Sequence, residues 1–120
     1  MVATQSFAGR VLVTGANGSL GRALVQYLAA SGASVRALVR SERAAATLRA
    51  LARPPELAIV DWSDAPGLAR AAADCDAAVH LVGVLKETPT QRYADAHEGT
   101  ARALAAAATG GTLRRIVYLS

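Results

Sequence analysis

Three glycines spaced three residues apart, Gly15, Gly18 and Gly21, follow the apolar run Val11-Leu-Val-Thr14 and lead into leucines at helical spacing, Leu20, Leu24 and Leu28. A strand that ends in a glycine-rich turn and re-enters a helix presents free backbone N–H groups and the positive end of the helix dipole. That is the chemistry of anion binding, above all of phosphate. Each glycine has its own reason to be there. Gly15 makes the tight turn off the strand, Gly18 leaves room for a pyrophosphate against the backbone, and Gly21 lets the helix lie close to the sheet. The candidate cradle is Thr14, Gly15, Asn17, Gly18, Ser19, Leu20 and Gly21.

The elements that must position this loop alternate along the chain. Strands are expected at Arg10 to Thr14, Ser34 to Val39, Leu57 to Val60, Ala77 to Val82 and Arg115 to Leu119. Helices are expected at Ser19 to Ser31, Glu42 to Ala52, Ala65 to Ala73 and Pro89 to Ala108. Punctuation agrees: Gly32 stops the first helix, Pro54-Pro55 ends the second and Gly110-Gly111 the fourth, while Thr88, Pro89 and Gln91 start the fourth as a capping box with proline at its first position. Such alternation implies right-handed βαβ units and a parallel sheet covered on both faces. The expected class is α/β, a Rossmann-type three-layer α/β/α domain over residues 1–120 with strand order 3-2-1-4-5.

In such a sheet ligands bind beyond the carboxyl ends of the strands, where the order reverses between the first and fourth strands. Arg40 and Ser41 follow the second strand at the position where an acidic residue would hold a ribose 2′-hydroxyl. A guanidinium there favours a 2′-phosphate instead, with Arg43 as a possible helper, so the expected cofactor is NADP, with NAD the alternative. Asp61 follows the third strand and either accepts a hydrogen bond from an adenine amino group or, it or Ser63, caps the next helix. Trp62 beside it reads as packing. Leu81, Val82 and Gly83 follow His80, the first two as an apolar wall and Gly83 as a point of close backbone approach. His80 lies inside a strand and His97 on the stripe Tyr93, His97, Ala101, Leu104, Ala108; both read as packed histidines. With two histidines and the single Cys75, no metal site is expected.

The net charge of +4 is poor evidence for nucleic-acid binding, because twelve of the thirteen basic residues are arginines scattered without interleaved aromatics, Lys86 being the exception. No apolar stretch approaches the length that spans a bilayer, and no signal pattern opens the chain. A cytoplasmic protein is expected, without nucleic-acid partner or transmembrane segment.

Thr14, Gly15, Gly18, Gly21 and Asp61 together resemble the short-chain dehydrogenase/reductase superfamily in its extended or atypical branch, the NAD-dependent epimerase/dehydratase-like proteins. His80-Leu-Val-Gly-Val-Leu-Lys-Glu87, Glu98-Gly-Thr100 and Arg115-Ile-Val-Tyr-Leu-Ser120 are similar to segments of the nucleotide-binding accessory subunit of respiratory complex I and its bacterial relatives. That resemblance implies tightly held NADP(H) and a place peripheral to the inner membrane through such a complex. His97 directly precedes Glu98, whereas the subgroup commonly has a residue between, which removes any role carried over to that histidine. Active members of the superfamily use a Tyr-x-x-x-Lys pair as proton donor and acceptor. Tyr27, Tyr93 and Tyr118 have no lysine four residues on within these 120 residues, so no catalytic residue is assigned. The expected protein is the cofactor-binding half of a larger fold whose C-terminal part is missing here. Three roles stay open: a binding module, the cofactor half of an active oxidoreductase, epimerase or dehydratase, and a redox-sensing regulator. The edge of the fifth strand is the expected place for a protein partner or self-association.

Overall fold

Alternation of period two runs through the strands, and each parity packs a different layer of helices. The computed structural model describes residues 9–61, 63–81, 102, 104–106 and 113–118. Strands β1 (Arg10–Thr14), β2 (Ser34–Val39), β3 (Glu56–Ile59), β4 (Ala77–His80) and β5 (Arg115–Tyr118) form one sheet in the order β3-β2-β1-β4-β5, and every pairing is parallel. This is the expected 3-2-1-4-5 order, with β1 central between β2 and β4. Val11, Val13, Val35, Ala37 and Val39 face helices α1 (Ser19–Ala30) and α2 (Glu42–Arg49) through Val25, Ala45 and Leu48. Leu12, Leu38 and Ala78 face the other way, onto Leu68, Ala71 and Ala72 of α3 (Ala65–Ala72), with Cys75 and Leu104 closing that layer. Cys75 is fully buried, as a packing residue should be.

Several boundaries differ from the sequence reading. α2 ends at Arg49, with Ala50 as its C-cap, well before Pro54-Pro55. Leu48 is its last buried residue, and the N–H of Leu51 bonds back to the Leu48 carbonyl at 3.2 Å, so the chain turns out of the helix there while Leu51 still packs against the core. β3 begins one residue early, because Glu56 pairs with Arg36 in register, and it ends at Ile59. β4 ends at His80, and α1 at Ala30. Of the expected fourth helix, residues 102 and 104–106 are helical. The expected features at Trp62, Val82, Gly83, Lys86, Thr88 to Gln91, Tyr93, His97, Gly110-Gly111, Leu119 and Ser120 lie outside the described residues.

Arg36 is the largest departure from a simple apolar pattern. It projects from β2 into the α3 layer, 9% exposed, where it donates to the carbonyl of Ala71 at 2.7 Å, to Asp74 at 2.6 Å and to Glu56 at 3.2 Å. Arg10 of β1 also pairs with Asp74. A buried guanidinium is stable only when its donors are satisfied, and here two carboxylates and a carbonyl do so. The network ties β1, β2, β3 and the end of α3 together at the amino ends of the strands, away from the glycine loop.

Candidate functional site

At the carboxyl end of β1 the chain turns through Gly15 with φ +64°, a left-handed conformation that a side chain resists. The N–H of Gly18 closes the turn onto the carbonyl of Gly15 at 3.3 Å. Gly21 packs against this turn so closely that a Cβ there would stand 2.5 Å from the Gly15 oxygen and 2.6 Å from Ala16 Cα. Gly15 and Gly21 are therefore demanded by the protein's own backbone. Gly18 is not: its φ of −75° and ψ of 173° suit any residue, and among the described residues a Cβ would meet only the Gly15 oxygen, at 3.7 Å. Its missing side chain leaves space over the first turn of α1.

That first turn is open in a second sense. Among the described residues no side chain caps α1, and no acidic residue lies in its first turn. By contrast, Ser41 caps α2 by accepting the N–H of Ala44 at 3.2 Å, with Glu42 behind it, and Asp64 caps α3 by accepting the N–H of Gly67 at 2.9 Å. The N–H groups of Ser19, Leu20 and Gly21 have no partner inside the helix by its geometry. Asn17, Ser19 and Leu20 are exposed around them, Leu20 to 53%. Leu20 thus stands at the mouth of the loop, and the inward face of α1 is set by Gly21 and Val25.

Thr14 is fully buried, and its side chain serves the fold. Its Oγ1 lies 2.8 Å from Nδ1 of the fully buried His80 and accepts the N–H of Leu81 at 3.0 Å. Anything Thr14 offers a ligand comes from its backbone. Leu81 also lies against Gly15, its carbonyl carbon 3.2 Å from where a Cβ would be. The ends of β1 and β4 are thereby fastened at the point where the strand order reverses. The sequence reading of His80 as a packed histidine agrees with this arrangement.

Arg40 and Asp61 follow β2 and β3 at the carboxyl end of the sheet. Val60 N–H donates to Val39 O at 2.9 Å, which aligns the ends of β2 and β3, and both charged residues are exposed. Asp61 accepts the hydroxyl of Ser63 at 2.6 Å and its N–H at 2.8 Å, both at Oδ1. Those two bonds, aided by the charge of Arg40, hold the Asp61 carboxyl below its ordinary pKa. Of the two readings open for Asp61, the helix cap is not realised. The cap is Asp64, whose own N–H bonds back to the Asp61 carbonyl at 3.0 Å before α3 begins. Ser41 carries a cap that the sequence reading did not assign, although a serine followed by an acidic residue at a helix start is the signal for one.

Arg22 was also passed over. Its Nε donates to the carbonyl of Gly18 at 3.4 Å, folding the side chain back over the loop. Elsewhere, a groove of about 520 Å³ runs between β3 and α3, lined by Ala58, Ile59, Val60, Arg70 and Asp74 among others, and none of the expected site residues among the described ones lines it. Among the described residues no cluster suited to a metal ion occurs, and no helix is long and apolar enough to cross a membrane.

The geometry suits a ligand with a phosphate at the α1 terminus and further groups spread toward Arg40 and Asp61. Comparisons with known proteins agree in kind. Residues 11–120 match the model of the NAD dependent epimerase/dehydratase family. The chain is 38% identical over 115 residues to 4-hydroxy-2-methyl-3-oxo-4-farnesyl-3,4-dihydroquinoline-1-oxide ketoreductase of Stigmatella aurantiaca, covering 92% of this chain and 33% of that protein. Uronate dehydrogenase from Agrobacterium tumefaciens superposes with a TM-score of 0.74 at 32% identity, covering 92% of this chain and 40% of that one. A short-chain dehydrogenase/reductase superfamily protein from Agrobacterium tumefaciens, solved with bound NAD, gives 0.68 at 29% identity over 91% of this chain and 31% of its own. The chain thus spans about a third of the length of the ketoreductase and two fifths of the dehydrogenase. With its glycine turn, its parallel sheet and the family match over residues 11–120, the chain belongs to the NAD dependent epimerase/dehydratase family of the short-chain dehydrogenase/reductase superfamily.

Proposed function

We propose that this chain is the dinucleotide-binding domain of an atypical or extended short-chain dehydrogenase-like protein and that it prefers NADP(H) to NAD(H). The observation that carries the reading is Gly18: among the described residues no packing requires a glycine there, and none caps the helix terminus over which the space lies. The N–H groups of Ser19, Leu20 and Gly21 hold the pyrophosphate, with Asn17 at the rim. Arg40, with the hydroxyl of Ser41, receives the ribose 2′-phosphate, and Asp61 accepts from the adenine amino group. Leu81 and Val82 are assigned as an apolar wall, Gly83 as the point of close backbone approach to the cofactor's ribose and phosphate region, and Trp62, next to Asp61 in the sequence, completes the candidate set. When bound, the dinucleotide supplies hydride transfer. Among the described residues none is assigned a proton-transfer role. The proposal places the protein in the cytoplasm and leaves the outer edge of β5, where Val117 is 42% exposed, as the surface at which a protein partner or second copy adds a strand. Calorimetric titration with NADPH and NADH tests the reading. Tighter binding of NADPH is expected, and binding of neither nucleotide overturns it.

A second reading has support of its own. The similar proteins are a ketoreductase and a dehydrogenase, which favours an active oxidoreductase over a module that holds its cofactor without turnover. Oxidation of bound NADPH by a ketone substrate under single-turnover conditions supports the enzyme. Stoichiometric NADPH that survives every ketone offered supports the binding module.

A further inference from the structure

Arg22 is the only charged residue on α1, which contains no acidic residue. Its own N–H donates to the Gly18 carbonyl at 2.9 Å, and its Nε returns to the same oxygen at 3.4 Å. Helical side chains lean toward the N-terminus, and this bond fixes the guanidinium beside the glycine loop. None of the ion pairs among the described residues involves Arg22. A cation is thus held at the loop with its Nη groups unneutralised by a carboxylate.

The side of the loop on which it sits follows from Gln26. Positions 22 and 26 share one face of the helix, and Gln26 Nε2 donates to the carbonyl of Arg53, beyond α2, at 3.1 Å. This face of α1 therefore looks toward α2. The turn that joins β2 to α2 is Arg40–Ser41, at the carboxyl end of the sheet like the glycine loop itself. Arg22 thus lies on the face of α1 that is turned toward the element following Arg40. Arg40 and Asp61 are of opposite charge and both exposed at the ends of β2 and β3, so a dianionic group beside them gains from a second guanidinium.

We infer that Arg22 is a second specificity-determining residue for a 2′-phosphate, acting with Arg40 on the adenosine ribose. The inference rests on the reading that the glycine loop holds a dinucleotide. It assigns to Arg22 a task distinct from that of the helix terminus, whose N–H groups serve the pyrophosphate.

The test uses 2′,5′-ADP and 5′-AMP, which share adenine, ribose and a 5′-phosphate and differ in the 2′-phosphate. The unmutated protein is expected to bind 2′,5′-ADP more tightly. Arg22→Gln is expected to weaken 2′,5′-ADP by about tenfold, as loss of a charge-assisted bond implies, while 5′-AMP changes by less than about twofold. Arg22→Lys should recover part of the loss, and all variants should keep the same melting temperature without ligand. An unchanged ratio of the two affinities in Arg22→Gln overturns the inference, and so does equal weakening of both probes, which would put Arg22 on the 5′-phosphate. If the unmutated protein binds 5′-AMP without preferring 2′,5′-ADP, the inference fails and the dinucleotide reading stands. Binding of neither probe sinks both.

Discussion

Thr14 Oγ1 stands 2.8 Å from His80 Nδ1, with both residues fully buried, and this contact joins the carboxyl ends of β1 and β4 beneath the glycine loop. Oγ1 also accepts the N–H of Leu81, so one buried hydroxyl serves both the ring of His80 and the backbone that follows it. Thr14→Val keeps the shape but strands two buried polar groups, each costing about 1–3 kcal/mol. The expected result is a loss of about 2–4 kcal/mol in urea denaturation, with Thr14→Ser close to the unmutated protein. A Thr14→Val variant of unchanged stability would show that the tie contributes nothing.

The network around Arg36 predicts an acid limb. The hydrogen bond from Arg36, joined by the charges of Arg36 and Arg10, lowers the Asp74 carboxyl from its ordinary 3.8 to about 2. A depressed folded-state pKa contributes stability that is present above the unfolded value and is lost as pH falls through the folded one. Stability should therefore decline between about pH 4 and pH 2, and Asp74→Asn should flatten that decline while lowering stability at pH 7. Parallel pH profiles for the two proteins would remove Asp74 from the account. Arg36 itself is raised by the same bond and stays charged throughout.

Gly21 and Gly18 should part company on substitution. At Gly21 an added Cβ meets backbone atoms at 2.5 and 2.6 Å, which cannot yield as a side chain can. Gly21→Ala is expected to cost about 1–3 kcal/mol, as overpacking does, and to disturb the loop. Thermal denaturation checks it, and an unshifted melting temperature would mean that α1 rides up without penalty.

Arg40→Ala should narrow the gap between NADPH and NADH by about tenfold, chiefly through weaker NADPH binding. Calorimetry on the purified protein reads both affinities. Equal affinities before mutation would leave Arg40 as a solvated strand-end charge.

The strand order, the two covered faces and the glycine turn were legible because each rests on a local pattern. Alternating Val11, Val13 and Leu12 sort themselves between two helix layers, and Gly15 and Gly21 are dictated by backbone contacts. Features that depend on distant partners were not legible. Nothing local marks Arg36 for burial: its acceptors come from residues 56, 71 and 74. The end of α2 is not set by Pro54-Pro55, a strong breaker: the helix stops at Arg49, where the Leu51 N–H turns back onto the Leu48 carbonyl. Asp61, Ser63 and Asp64 are all good caps by type, and only the intervening turn selects Asp64. At the site, Arg40 and Asp61 meet through β2–β3 register, while Arg22 needed the fold-back onto Gly18 to be noticed.

The central claim is that the space over Gly18 exists for a dinucleotide and not for the fold, and Gly18→Val measured by calorimetry and melting together tests it most directly. The account predicts that stability changes by no more than about 1 kcal/mol, the scale of an N-cap exchange, while binding of both NADPH and NADH is lost. A stable Gly18→Val variant that binds either nucleotide as tightly as the unmutated protein would contradict it.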